Sequence, residues 1–171
     1  TIVLGTISRL EKQKNIDTLL RAFAMLDLDV ELRIVGDGSL RDKLKRRTIK
    51  LGIQNRVMFL GKTRNIHDFL ESLDIFVLAS KYEGFGIVLV EAAVRNIPII
   101  ASDLPVCREV LGDNGALFFN SKNYVDISEK IKEAVNLLPM RDFQMKAKAN
   151  ISKFDLENLI AKTDKIYAEL D

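Results

Sequence analysis

This sequence predicts an α/β fold: a doubly wound parallel sheet of about six strands with helices on both faces. Three observations predict it. Short apolar runs alternate with amphipathic runs along most of the chain, the pattern of repeated β-α-β units. The apolar runs are continuous rather than alternating, which fits strands covered on both sides. A length of 171 residues, 47% of them hydrophobic and 29% charged, fits one domain with a core of ordinary size. In such a sheet the crossovers are right-handed, and ligands sit beyond the carboxyl ends of the strands near the point where strand order reverses.

The elements follow in order. "TIVLGTI" (1–7) reads as a strand rich in β-branched residues. "NIDTLLRAFAML" (15–26) places Ile16, Leu19, Leu20, Phe23 and Ala24 at helical spacing, with Asn15 as N-cap. "VELRIVG" (30–36) is a strand that runs into the turn "GDGS", and 40–52 is a helix stopped by Gly52. Strands are expected at 56–61, 74–80, 97–102 and 115–119, and helices at 65–73, 87–96 and 106–112. From residue 123 onward no strand pattern appears; amphipathic helices are expected at 124–138 and 157–170.

Composition removes several function classes. A net charge of +2 argues against a dedicated nucleic-acid binder. Cys107 and His67 each stand alone, so a disulfide framework, a thiolate or histidine metal site and a Ser/His/Asp triad find no support, and a reducing compartment fits. There is no run of 18 apolar residues and no signal peptide. The chain opens directly on a strand, and we expect it to be a domain cut from a longer protein. The run "RDKLKRRTIK" (41–50) carries six basic residues and one acidic one. It reads as a solvated helix face, with a phosphate or membrane-surface contact as the alternative.

The stretch "KYEGFGIVLVEA" (81–92) carries the chemistry. It would form the loop after a buried strand and the start of the next helix, on the ligand edge of the sheet. Gly84 and Gly86 let the backbone approach a ligand, and the free N–H groups of a helix start attract a phosphate. Glu83 sits in the loop and Glu91 about one turn into the helix; a carboxylate there accepts hydrogen bonds from sugar hydroxyls. A sugar nucleotide fits both. A turn with two capping or solvated glutamates fits the same residues.

The segment also resembles the E-x7-E signature of retaining glycosyltransferases of the GT-B fold, family 4, with Glu83 and Glu91 at the two glutamate positions. Ordered matches surround it over roughly residues 1–140: "SRLEKQKN" (8–15), "LRIVGDGSLRDKL" (32–44), "RVMFLGKT" (56–63), "DIFVLASKYEGFG" (74–86) and "IPIIASDLPVCREVLGDNGALFF" (97–119). The resemblance implies the C-terminal, nucleotide-sugar-binding half of such an enzyme, spanning 1–171, with the N-terminal acceptor domain absent from this chain and the isolated half inactive alone. Arg9 and Lys14 would hold the distal phosphate and steady the leaving diphosphate, and Glu83 would face the donor sugar. The backbone of Gly84, Phe85, Gly86, Ile87 and Val88 would border sugar and diphosphate. Glu91 would bind the ribose, and Gly61, Lys62, Thr63, Gly36 and Asp37 would border the base. The donor would be a UDP- or GDP-linked sugar, and the acceptor a capsule, lipopolysaccharide or similar surface glycan. The resemblance further implies no metal or other cofactor, no nucleic-acid partner, and a cytoplasmic location with a peripheral contact at the inner membrane face left open.

Four positions depart from the family pattern. Ser8 replaces the glycine before the arginine, Asn15 the glycine after the lysine, and Ala79 the proline before the serine; "DLPVCRE" replaces a glycine pair. Other residues read as structural: Lys81 and His67 as surface residues, Glu109 as a cap or rim residue at the opening of a helical turn, Cys107 as semi-buried, and Phe85 as loop packing or sugar-pocket wall. A GT-B phosphorylase, synthase or sugar-nucleotide epimerase, and a non-catalytic nucleotide-binding domain, stay open as alternatives. A nicotinamide or flavin domain is disfavoured, because "SRLEKQKN" and not G-x-G-x-x-G follows the first strand.

Overall fold

The structure, a computed structural model, describes residues 1–154 together with Ala161. The helix expected over 157–170 lies, but for that one residue, outside the described residues. Six strands form one parallel sheet: β1 (Ile2–Ile7), β2 (Val30–Val35), β3 (Val57–Gly61), β4 (Ile75–Leu78), β5 (Ile99–Ser102) and β6 (Leu117–Phe119), in the order β3-β2-β1-β4-β5-β6. The order reverses between β1 and β4. All six predicted strands are found, most of them a residue or two shorter than read, within the usual fraying of element ends.

Every residue of β4 and β5 is buried, as their unbroken apolar sequences require. The edge strand β3 departs from this: Met58 and Leu60 are 40% and 48% exposed. Helices α1 (Ile16–Ala24), α2 (Arg41–Lys50) and α6 (Tyr124–Leu137) cover one face of the sheet. Helices α3 (Ile66–Glu71), α4 (Ile87–Val94), α5 (Pro105–Leu111) and α7 (Arg141–Ile151) cover the other. The apolar stripe of α1 is wholly buried through Ile16, Leu19, Leu20 and Phe23. Removing the Phe23 ring would cost about 3–5 kcal/mol, as for other fully buried aromatics. By contrast α2 buries only Leu44 and Thr48, so its basic residues are a solvated face.

Helix ends follow local chemistry. Gly52, in the left-handed region at φ 69°, stops α2: its N–H donates to the Ile49 carbonyl and the Ile53 N–H to that of Thr48. Asn65 and Asn123 cap α3 and α6 through their side-chain oxygens. Asn15 stands at the N-cap position of α1, as expected, but not as a side-chain cap. It is left-handed at φ 60° and its side chain makes no bond to the helix backbone. Instead its Nδ2 donates to the carbonyls of Ala79 (3.0 Å) and Ser121 (2.7 Å), while Thr18 Oγ1 donates to its Oδ1. Asparagine tolerates the left-handed region better than most residues, which explains how it stands where the family pattern has glycine.

Helix α7 was not anticipated from the sequence. It buries only Ala147 and Ile151, and Asn150 Nδ2 ties it to the carbonyls of Glu109 and Val110 in α5. No helix among the described residues is long and apolar enough to cross a membrane.

Candidate functional site

The loops that follow β1, β2, β3 and β4 meet at the carboxyl edge of the sheet and enclose a cleft of about 710 Å³. The cleft straddles the reversal of strand order, where an open α/β sheet leaves a crevice between diverging loops. Its lining includes Arg9, Lys14, Gly36, Asp37, Lys62, Thr63, Glu83, Gly86, Ile87 and Val88, all singled out from sequence.

Two backbone features hold the loops together. Leu10 N–H donates to the Asp37 carbonyl and Leu40 N–H to that of Leu10, zipping the loop after β1 to the loop after β2. At Gly36, with φ 129°, a Cβ would lie 1.8 Å from the Ser8 carbonyl oxygen, so no side chain fits there. Close approach in this region thus comes from Gly36, and the serine at position 8 is accommodated.

The charged groups of the cleft are organised around Glu83. Lys14 Nζ and Ser80 Oγ both donate to Glu83 Oε1, at 2.7 and 2.6 Å. Ser80 is 1% exposed, and the Lys14 and Glu83 side chains are 19% and 10% exposed. The carboxylate is therefore held through one oxygen, and no bond to Oε2 is found among the described residues. Arg9 is exposed at the mouth, and its side chain makes no hydrogen bond or ion pair among the described residues. Gly86, left-handed at φ 71°, turns the chain into α4 so that the first N–H groups of the helix open beside Ile87 and Val88 at the cleft. Asp37 is tied into the wall, accepting from its neighbour Gly38 N–H and from Arg41 Nη1 at 3.1 Å.

Four of the predicted site residues do not line the cleft. Glu91 is 3% exposed and accepts from Arg95 Nη1 at 2.6 Å, four residues on in the helix. His67, 48% exposed, lies 3.8 Å from the same carboxylate and contacts Arg95. Gly84 is exposed, and Gly61 is buried with its carbonyl accepting from Gly36 N–H. The Phe85 ring packs edge-to-face on Phe154 at 5.8 Å, so of its two readings loop packing is the one found.

Sequence reasoning missed Ser80 and Arg95. Ser80 ends a buried strand three residues before Glu83, and Arg95 stands four residues after Glu91, a standard helical ion-pair spacing; both signals were present. Glu11 was also missed; it lines the cleft and accepts from Ser39 N–H and Oγ, bonds that hold its carboxyl below the usual range. Cys107 is fully rather than semi-buried, and burial together with the charge of Glu83 pushes its thiol up to about 12. Glu109 is exposed and lies within α5 rather than opening it. Among the described residues no group of three or more His, Cys, Asp or Glu is placed to hold a metal ion.

Fold and cleft together define a Rossmann-like half of the GT-B type. Residues 1–151 match the family model for glycosyl transferases group 1, and the chain belongs to that family. It is 30% identical over 153 residues to N-acetylgalactosamine-N,N'-diacetylbacillosaminyl-diphospho-undecaprenol 4-alpha-N-acetylgalactosaminyltransferase of Campylobacter jejuni, covering 88% of this chain and 42% of that protein. It is 29% identical over 167 residues to poly(ribitol-phosphate) alpha-N-acetylglucosaminyltransferase of Staphylococcus aureus, covering 94% of this chain and 34% of that one. Among solved structures, a mutant S. aureus TarM in complex with fondaparinux, alpha-GlcNAc-glycerol and UDP superimposes with a TM-score of 0.83 at 28% identity, over 96% of this chain and 35% of that one. Anabaena HepE in complex with UDP and glucose shares the fold, with a TM-score of 0.85 at 24% identity over 99% of this chain and 48% of the other. The chain thus spans less than half the length of each of these relatives.

Proposed function

We propose that this chain is the C-terminal, nucleotide-sugar-binding half of a retaining glycosyltransferase. In this reading the enzyme transfers a hexose unit from a UDP- or GDP-linked sugar to a surface-glycan acceptor such as capsule or lipopolysaccharide, in the cytoplasm, with an N-terminal domain supplying the acceptor side. The observation that carries it is the grouping of Arg9, Lys14 and Glu83 with the open start of α4 in one cleft at the reversal of strand order. The S. aureus relative whose structure holds UDP supports the donor class.

The cleft's own chemistry fits the reaction. A leaving diphosphate carries concentrated negative charge; Arg9, Lys14 and the helix dipole of α4 would stabilise it electrostatically, without a metal. Lys14 is already positioned by Glu83, and Glu83 keeps Oε2 for a sugar hydroxyl. Ile87 and Val88 would give the sugar an apolar wall. Ribose binding by Glu91 requires its carboxylate to be reached past Arg95. The isolated half would catalyse little, because excluding water and orienting the acceptor need the opposite wall.

Isothermal titration with UDP, GDP, ADP and NADH, beside Arg9→Ala and Glu91→Ala, tests the donor reading. One diphosphate should bind selectively, with Kd of ~0.1–1 mM, and Arg9→Ala should weaken it at least tenfold. Equal binding of NADH, or binding indifferent to Arg9, would sink the proposal. The anomeric configuration of the product made by the full enzyme, read by proton NMR, tests retention.

A further inference from the structure

The backbone around Lys14 is fastened at two points to the segment that leads into Glu83. Lys81 N–H donates to the Gln13 carbonyl at 2.9 Å, and Asn15 Nδ2 donates to the Ala79 carbonyl at 3.0 Å. Lys14 lies between these attachments on one segment and Ser80 between them on the other. The two segments are thus held together, and the Lys14 ammonium changes partner by turning its own side chain.

Within this frame the ammonium has one partner. Lys14 Nζ lies 2.7 Å from Glu83 Oε1 and makes no other hydrogen bond or ion pair among the described residues. Both side chains are largely shielded from solvent, so salt screens the pair weakly. Glu83 depends on that cation, since its other bond comes from the neutral Ser80 hydroxyl. Its charge also reaches the interior: burial first, and then Glu83, push the Cys107 thiol up to about 12. The Arg9 side chain, at the mouth of the same cleft, has no partner of this kind among the described residues.

A diphosphate entering the cleft therefore meets two different cations. Arg9 is available at once. Lys14 is available only at the expense of Glu83, and removing one partner of an enclosed ion pair is costly. A sugar hydroxyl on Oε2 would return a charge-assisted hydrogen bond to the carboxylate. An intact nucleotide sugar brings that hydroxyl; a nucleoside diphosphate does not.

We infer that Glu83 competes with the diphosphate for Lys14, and that this competition makes the cleft hold an intact nucleotide sugar in preference to the nucleoside diphosphate left after transfer. The inference rests on the donor reading of the cleft proposed above. It gives Glu83 a part in product release: once the sugar has gone, Lys14 returns to the glutamate, and the diphosphate is left to Arg9 and the start of α4.

The test is isothermal titration of the purified chain with UDP, GDP, UDP-glucose, UDP-N-acetylglucosamine and GDP-mannose. The parent, Glu83→Gln, Lys14→Gln and the double variant are compared, with circular dichroism to show each folded. Glutamine at position 83 keeps the shape and an acceptor for Ser80 but removes the charge that holds Lys14. Glu83→Gln should tighten binding of the preferred diphosphate about five- to tenfold, the size of a coupling between touching residues. In the Lys14→Gln background the same substitution should change it by less than about twofold. The parent's preference for its best-bound nucleotide sugar over the matching diphosphate should fall at least about fivefold in Glu83→Gln. If Glu83→Gln tightens the diphosphate equally with and without Lys14, the carboxylate acts by plain repulsion and the inference fails. It fails equally if Glu83→Gln does not tighten the diphosphate, or if the preference is unchanged. Those outcomes leave the donor reading standing as long as one diphosphate binds and Arg9→Ala weakens it. If no diphosphate binds, both fall.

Discussion

Glu83 and Glu91 are two carboxylates eight residues apart, on one loop and one helix, yet their surroundings divide them. Glu83 stands in the cleft wall, fixed through a single oxygen by Lys14 and Ser80. Glu91 lies inside α4's packing, closed off by Arg95 with His67 behind it. A carboxylate held by one oxygen at the edge of solvent is available for chemistry. One enclosed by a guanidinium on its own helix first of all neutralises a buried charge. Membership of one motif does not give two residues the same physical situation.

The comparison can be broken most forcefully at Arg95. Arg95→Ala should leave Glu91 buried and poorly compensated, lowering stability by about 2–4 kcal/mol; a denaturant melt within 0.5 kcal/mol of the parent, a threshold of roughly ordinary surface size, would show that Glu91 is not locked. Lys14→Ala should cost less, about 1–2 kcal/mol, because Glu83 keeps Ser80 and can gain water. The same variant should weaken diphosphate binding at least tenfold, so titration and melt together separate the two glutamates. Ser80→Ala should cost about 1 kcal/mol, and in the full enzyme it should reduce turnover more than donor affinity, because the serine orients Glu83 without reaching the donor.

The smallest effect reads charge at a distance. Burial and the negative charge of Glu83 both disfavour the Cys107 thiolate. Its folded value, about 12, lies above the ordinary value of 9.0. Between these two values the folded state keeps a proton that the unfolded chain has lost, so stability falls as pH rises above about 9. Glu83→Gln should bring the thiol's titration down, and Glu91→Gln should leave it in place. The carbon NMR signal of Cys107 Cβ followed against pH measures both; equal shifts in the two variants would erase the distinction.

The sheet was legible because its strands are short, apolar and punctuated, and the same pattern placed the loops of the cleft. Glu83 was found from the glycine-rich loop after a buried strand, and Arg9 and Lys14 from the resemblance of "SRLEKQKN" to the family pattern. The interior of α4 was harder. Glu91 reads as an exposed ligand until its partner four residues later is counted, and the depth of α4 in the fold is a tertiary property. Helix α7 escaped because only Ala147 and Ile151 are buried along it, with Asn150 bonded to α5, rather than a broad apolar stripe. Asn15 was placed correctly at the start of α1, but its long-range partners at Ala79 and Ser121 lie far away in sequence.

That asparagine has a thermodynamic consequence. A glycine would satisfy the left-handed turn at position 15 equally well, but it would leave the unfolded chain freer and remove the Asn15 bonds that tie the loop after β1 to Ala79 and Ser121. With asparagine the turn is made and the loops are stitched in one step. The wall that carries Lys14 and Glu83 is then rigid before any ligand arrives, and a binding partner surrenders less of its affinity to putting that wall in order.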